Sequence, residues 1–327
     1  MKKILFLVTL LMLVFSCSGK KDAEKPAEDK PAETTQSTEK KTVGVLIPGP
    51  VGYFTAVREG IDKAAQENNI EVIYSDAGWD AAKQLSQVED MISKNVDMIA
   101  IAAVDSNAAK KAVKIANDAK IPIIAFTNAI GEAENGQYEG VLTYIGQNEV
   151  ETGKVTAEIA KKLLGEKGGK VVLIEGRPGT SPQINRKKGV MSVLDGNKNF
   201  EVVYTQTSNW EKEQALKIVE DLIQKNQQMD VIIAQDDNSA IGAGMALKEA
   251  NLKDKVLVIG LGGNKEGLEA VKNGIIDGTT YMSAVEEGYK TIEMAAKYFK
   301  GEKIEPVTQM IQVEVNKDNV DQFKGEW

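Results

Sequence analysis

The sequence predicts an α/β fold built from two doubly wound parallel-sheet lobes. Three observations carry this. Short continuous apolar runs recur along the chain, amphipathic stretches separate them, and the whole rhythm restarts after a glycine-rich loop around residues 131–140. Apolar runs without alternation mark strands buried on both faces, and helices between them provide the crossovers that parallel strands need. Two such sets hold too many strands for one comfortable open sheet.

In the first set, Val43-Gly44-Val45-Leu46-Ile47 reads as a buried strand, and Val57, Ile61 and Ala64 follow at helical spacing. Glu71 to Tyr74 reads as the next strand, with Leu85, Val88 and Ile92 marking a helix face. Met98 to Ala102 is a third strand, and Ala109, Val113 and Ala116 mark its helix. Ile121 to Phe126 is a fourth. In the second set, Val155, Ile159 and Leu163 lie on a helix, and strands are expected at Val171–Ile174, Val202–Tyr204, Val231–Ala234 and Val256–Ile259. Helices carrying Ile218 and Leu222, then Met245 and Leu247, lie between them.

The N-terminus is different material. Lys2 and Lys3 precede an apolar run from Ile4 to Phe15, then Ser16 and Cys17. A basic start, an apolar stretch of about a dozen residues and a small residue form the pattern of an export signal, too short to span a bilayer. The words Leu13-Val14-Phe15-Ser16-Cys17 resemble the bacterial lipobox, in which the cysteine is lipidated after cleavage; Phe15 departs from the usual small residue. From Ser18 to Lys41 there is no large apolar residue, and Pro26 and Pro31 punctuate mixed charge. Such a segment buries too little surface to offset its chain entropy and is expected to be a disordered tether with a reach of about 25–30 Å.

Composition excludes much chemistry. The chain has no histidine, and Cys17 is its single cysteine. Histidine-dependent nucleophile systems and Cys/His zinc sites are therefore impossible. No catalytic residue, metal or cofactor is expected, although a carboxylate-based glycosidase stays possible. The formal charge is −8; Lys2 and Lys3 contribute +2, so loss of the signal leaves −10. That balance argues against nucleic acid as a partner and leaves the lipid anchor as the membrane contact.

Ligands of open parallel sheets bind beyond the carboxyl ends of the strands. Tyr53 and Phe54 follow the first strand, Thr127 and Asn128 the fourth. Beyond the later strands stand Arg186, Trp210, Gln235 to Asn238, and Gly260-Leu261-Gly262-Gly263-Asn264. Asp237 reads as the N-cap of the helix starting at Asn238. Lys265 stands where a dinucleotide fingerprint needs glycine, so no nucleotide site is expected. Asp195, Asn197 and Asn199 read as a polar turn, since a calcium loop needs a mid-loop glycine. Aromatic faces with amides, a carboxylate and a guanidinium suit a sugar ring and its hydroxyls.

From about Val43 to Gln312 the chain resembles the periplasmic sugar-binding proteins of ABC importers, the ribose/galactose type. The matching words include Tyr53-Phe54, Val104-Asp105-Ser106, Ile121-Pro122-Ile123-Ile124, Gly179-Thr180-Ser181 with Arg186, Ala234-Gln235-Asp236-Asp237 and Val258-Ile259-Gly260. The resemblance implies the type I periplasmic binding protein fold, two lobes joined by three crossovers. It divides the chain into a signal (residues 1–16), a tether (17–42), an N-terminal lobe (43–146 plus 283–312) and a C-terminal lobe (147–282 plus 313–327). It implies ligand roles for Tyr53, Phe54, Thr127, Asn128, Arg186, Trp210 and Asp236, and places Gly262 and Met282 at ligand positions.

Several of these residues depart from the ribose type. Val51 replaces a polar residue, Thr127-Asn128 an acidic–basic pair, Gly262 an aspartate and Met282 an amide. The family would leave space at Gly262. Losing such hydroxyl partners disfavours ribose itself and favours a deoxysugar, a polyol or a less polar ligand. The expected function is a lipid-anchored, monomeric binding protein that closes on its ligand and docks on an ABC permease. A ligand-presenting sensory subunit is the alternative.

Overall fold

The computed structural model describes residues Lys40–Trp327. The export segment, Cys17 and nearly all of the expected tether lie outside the described residues.

The first sheet has strand order β11-β5-β4-β3-β1-β2. It comprises β1 (Lys41–Ile47), β2 (Ile70–Asp76), β3 (Met98–Ile101), β4 (Ile123–Phe126), β5 (Tyr144–Gly146) and β11 (Val307–Gln309), with every pairing parallel. Helix α1 (Gly52–Glu67) and helix α9 (Ala284–Phe299) cover one face of it. Helices α2 (Ala81–Ser93) and α3 (Ala109–Asp118) cover the other. The strand assigned to residues 43–47 begins two residues earlier than its apolar run. Lys41 Nζ pairs with Asp97 at 2.7 Å and Thr42 N donates to the same carboxylate at 2.8 Å. This anchoring shortens the expected tether, which had been placed through residue 42.

The second sheet has the order β7-β6-β8-β9, from β6 (Gly169–Glu175), β7 (Phe200–Thr207), β8 (Val231–Ala234) and β9 (Leu257–Ile259). Two bridges, Ile259 to Gly278 and Gly262 to Tyr281, attach β10 (Thr279–Tyr281), which pairs antiparallel with β12 (Val313–Val315). Helices α4 (Glu149–Leu164) and α5 (Ser181–Leu194) lie on one face. Helices α6 (Lys212–Gln224), α7 (Asp237–Glu249) and α8 (Lys265–Lys272) lie on the other. The polar run at 195–199 is a turn in which Asn199 N donates to Asn197 Oδ1 at 3.2 Å.

Each sheet is the doubly wound arrangement the apolar runs predict, and the buried residues of β1, β3, β4, β6 and β8 form the two cores. The chain passes between the sheets three times: between β5 and α4, between β10 and α9, and between β11 and β12. Among the described residues no helix is long and apolar enough to cross a membrane.

Candidate ligand-binding cleft

The carboxyl ends of the two sheets face each other across a cleft. The segment after β1 contributes Val51, Tyr53 and Phe54, and the turn after β2 contributes Trp79. Thr127 and Asn128 come from the end of β4, and Gln147 from the end of β5. The opposite wall takes Arg186 from α5, Trp210 from beyond β7, Asp236 from beyond β8, Gly262 from beyond β9 and Met282 from beyond β10. All nine residues expected at the ligand therefore line one cleft. Asn264, in the segment read beyond the last of these strands, joins them, as do Trp79, Gln147 and Trp327, which the sequence does not single out.

Arg186 reaches the cleft because two helices meet without side chains between them. A Cβ on Gly153 would sit 2.0 Å from Arg186 O, and one on Gly189 2.0 Å from Val150 O. The close approach of α4 and α5 brings Arg186 onto Glu149, with Nε to Oε2 at 2.6 Å and Nη2 to Oε1 at 2.9 Å. Nη1 donates to Gln235 O at 2.7 Å. Burial works against the guanidinium's charge, but the Glu149 carboxylate outweighs it and holds the Arg186 pKa up. Of five N–H donors, three are used, so two are left for a ligand. The guanidinium also lies over the Trp210 ring, 5.8 Å from its centroid. Arg186 is buried, and this fork on Glu149 takes it out of the solvated run suggested by its neighbours Lys187 and Lys188.

The helix cap falls on the other aspartate of the pair than expected, while Asp236 still lines the cleft. Asp236, not Asp237, is the N-cap of α7: its carboxylate accepts from Asn238 N at 3.1 Å and Ser239 N at 3.3 Å. Asp237 is the first helical residue and is buried. It accepts from Gly263 N at 2.6 Å, Asn264 N at 3.1 Å and Thr279 Oγ1 at 2.6 Å. Asp237 thus ties the loop after β9 to β10. Burial pushes its pKa up to about 6 against these hydrogen bonds, and burial raises Asp236 as well.

Gly262 has room for a Cβ at ordinary contact distance, but its backbone conformation is one that side chains rarely adopt. Its φ is +128°, and a Cβ built there would meet the Trp327 ring at 3.5 Å and Asp237 Oδ2 at 3.6 Å. Trp327 packs edge-on to Tyr53 with centroids 5.0 Å apart, and Lys265 N donates to Trp327 O at 2.9 Å. Trp79 and Trp210 also project into the cleft from backbones at positive φ, +65° and +69°, as does Thr127 at +53°. Such conformations are costly for a β-branched or aromatic residue and concentrate at functional sites.

The floor beside β4 is polar and deeply buried. Thr127 Oγ1 donates to Glu287 Oε1, and Asn128 Nδ2 donates to Ala103 O at 2.7 Å. Glu287 is wholly buried. Desolvation pushes its carboxyl up to about 8, with the Thr127 hydrogen bond and the nearby Tyr53 hydroxyl opposing and the Glu149 charge adding to the rise.

A periplasmic binding protein domain profile matches residues 43–303. This chain belongs to the periplasmic binding protein family. The xylitol-binding protein of Mycolicibacterium smegmatis is 30% identical over 88% of this chain and 81% of its own length. The ribose import binding protein RbsB of Bacillus subtilis is 31% identical over 93% of this chain and 95% of its own. Among solved structures, a solute-binding protein of an ABC transporter from Bacillus halodurans with bound myo-inositol aligns with a TM-score of 0.83 at 27% identity. That alignment covers 90% of this chain and all of the other. The relatives are binding proteins.

The two lobes of this periplasmic binding protein touch across the cleft mouth. Ser106 N donates to Gly179 O at 3.0 Å, and Ala129 N donates to Ser181 Oγ at 2.7 Å. The Arg177 guanidinium lies on the Trp79 ring. Trp79 and Trp327 carry no local sequence signal: one follows a turn after an ordinary strand, and the other lies outside both strand-and-helix sets.

Proposed function

We propose that the chain is the solute-binding lipoprotein of an ABC importer. It captures a sugar or sugar-like polyol between its lobes by hinge closure and presents it, as a monomer, to a membrane permease. The carrying observation is the cleft: aromatic faces of Tyr53, Trp79, Trp210 and Trp327 stand around Arg186, Asn128, Gln147 and Asp236. Aromatic faces stack on the C–H face of a sugar ring while the amides and charges bond its hydroxyls. A ligand that touches both walls binds the closed form better and shifts the population toward it. The names of relatives, ribose-importing and xylitol-binding among them, support the ligand class.

The lobes divide as residues 43–146 plus 283–312 and 147–282 plus 313–327, so that the three passages between sheets act as the hinge. Loss of hydroxyl partners at Val51, Thr127, Gly262 and Met282 favours a polyol or deoxysugar over ribose. Cys17 carries the lipid that holds the protein at the outer face of a bacterial membrane. The absence of histidine and of any cysteine besides Cys17 favours reversible capture over catalysis.

A thermal-shift screen with myo-inositol, xylitol, D-allose and D-ribose tests the reading. A ligand that binds the native state adds about 2.7 kcal/mol of stability at a hundred times its Kd and so raises the melting temperature. No shift with any of them at millimolar concentration overturns it. Cys17→Ala is expected to abolish lipid incorporation in cells; retained labelling refutes the anchor.

A further inference from the structure

Three groups in or just behind the cleft wall carry polar atoms without a partner in the protein. Gln147 is 2% exposed and lines the cleft, yet neither its Oε1 nor its Nε2 makes a hydrogen bond. Tyr53 Oη and Glu287 Oε2 are likewise buried without one. They sit together: Tyr53 and Gln147 stand close enough to Glu287 to favour its ionised form, although neither meets it at hydrogen-bond geometry. They come from three separate elements, α1, the end of β5 and α9. A buried polar atom left unpaired costs about 1–3 kcal/mol, so three neighbouring orphans in one wall need an explanation. The other charged groups nearby are spoken for. Glu149 is held in a fork by Arg186, and Thr127 already occupies the other Glu287 oxygen.

We infer that Tyr53 Oη, the Gln147 amide and Glu287 form a buried subsite for one hydroxyl group of the ligand. The inference rests on the sugar-or-polyol reading above and adds a contact to it. A hydroxyl fits because it donates once and accepts twice. It gives its proton to Gln147 Oε1 and accepts from two of Tyr53 Oη, Gln147 Nε2 and the protonated Glu287 Oε2. An ammonium fits less well, because burial holds the Glu287 carboxyl towards its neutral form. The subsite lies beyond the aromatic ring of Tyr53. It therefore selects among ligands by the reach of one hydroxyl past the stacked ring.

Tyr53→Phe and Gln147→Leu test this in the full chain, with calorimetry against myo-inositol, xylitol, D-allose and D-ribose and with melting of the unliganded protein. Each variant is expected to weaken the best of those probes at least tenfold. Each is also expected to melt, unliganded, at or above the wild-type temperature, because it removes an unpaired buried group. A merely structural role would lower the unliganded melting temperature instead, and a fall of several degrees overturns the subsite. Unchanged affinity for a probe that binds the wild type overturns it too. If no probe binds the wild type, the sugar reading fails on its own. The subsite is then decided by melting: a rise supports it and a fall refutes it.

Discussion

The Arg177 guanidinium carbon lies 4.6 Å from the centroid of the Trp79 ring, and the two residues belong to opposite lobes. A cation over an indole face is worth about 0.5–2 kcal/mol, more as it is desolvated. Beside it, Ser106 N to Gly179 O and Ala129 N to Ser181 Oγ cross the same gap. The Ser106–Gly179 contact is backbone to backbone and survives side-chain replacement; the stack does not. Arg177 therefore acts as a latch that favours closure. Arg177→Ala is expected to weaken ligand binding by about 3- to 30-fold and to enlarge the unliganded radius of gyration in small-angle scattering. Unchanged affinity and an unchanged scattering curve would remove the latch.

The chain has three tryptophans, Trp79, Trp210 and Trp327, and all of them line the cleft. Closure around a ligand dries their surroundings, and two of them face cations, Arg177 and Arg186. Intrinsic fluorescence is thus expected to report binding without any label, with a shifted emission maximum that saturates at the calorimetric stoichiometry. A ligand that binds by calorimetry and leaves the emission spectrum untouched would show that it sits away from this cleft.

The extent to which sequence revealed this cleft follows from what each residue does locally. Parallel strands buried on both faces write continuous apolar runs, so β1, β3, β4, β6 and β8 were legible, and so was the rule that ligands meet the residues just after them. Tyr53, Thr127 and Asp236 were found that way. The short strands β5, β10, β11 and β12 lack the continuous apolar run that marks β9, which is equally short. Their passages between the lobes are legible through the family resemblance and not through local pattern, and Gln147, on one of them, carries no signal of its own. Glu149 and Glu287 look like ordinary helix-start acids in sequence, and only the folded packing buries them. The exchange between Asp236 and Asp237 has the same origin. Adjacent acids are equivalent in sequence, and the extended φ of −156° at Asp236 decides which one caps the helix.

Glu287 sets a pH dependence of stability. Its folded pKa, about 8, lies above its ordinary value of 4.5 because burial disfavours the charge. The folded state then holds a proton that the unfolded state releases. The contribution is fully present below pH 4.5 and is lost as pH rises towards 8, with a slope of at most about 1.4 kcal/mol per pH unit for one proton. Asp237 adds a smaller term of the same sign between its ordinary 3.8 and about 6. Wild-type melting temperature is expected to fall between pH 6 and pH 8.5, a window largely above the Asp237 range. Glu287→Gln keeps the shape, faces the same Thr127, Tyr53, Gln147 and Glu149, and is expected to flatten that fall. A variant with the wild-type slope would assign the titration elsewhere.

The family resemblance implies an aspartate at the position of Gly262 in the ribose type, so introducing that residue is the obvious way to seek ribose binding. The geometry opposes it. The backbone at Gly262 has φ of +128°, and its missing Cβ would lie 3.5 Å from the Trp327 ring and 3.6 Å from Asp237 Oδ2. An aspartate there adopts a strained backbone and pushes on the indole. It also adds a second carboxylate beside Asp237, which burial already makes hard to ionise. Gly262→Asp is expected to cost about 2–4 kcal/mol by urea unfolding and to give no ribose affinity by calorimetry. Adding Trp327→Ala removes the steric part while leaving backbone strain and charge repulsion. The double variant should therefore recover some of the stability lost, a non-additivity of about 0.5–3 kcal/mol for residues in contact. Strict additivity of the two substitutions, or ribose binding by the single variant, would mean that Trp327 does not occupy the aspartate's place.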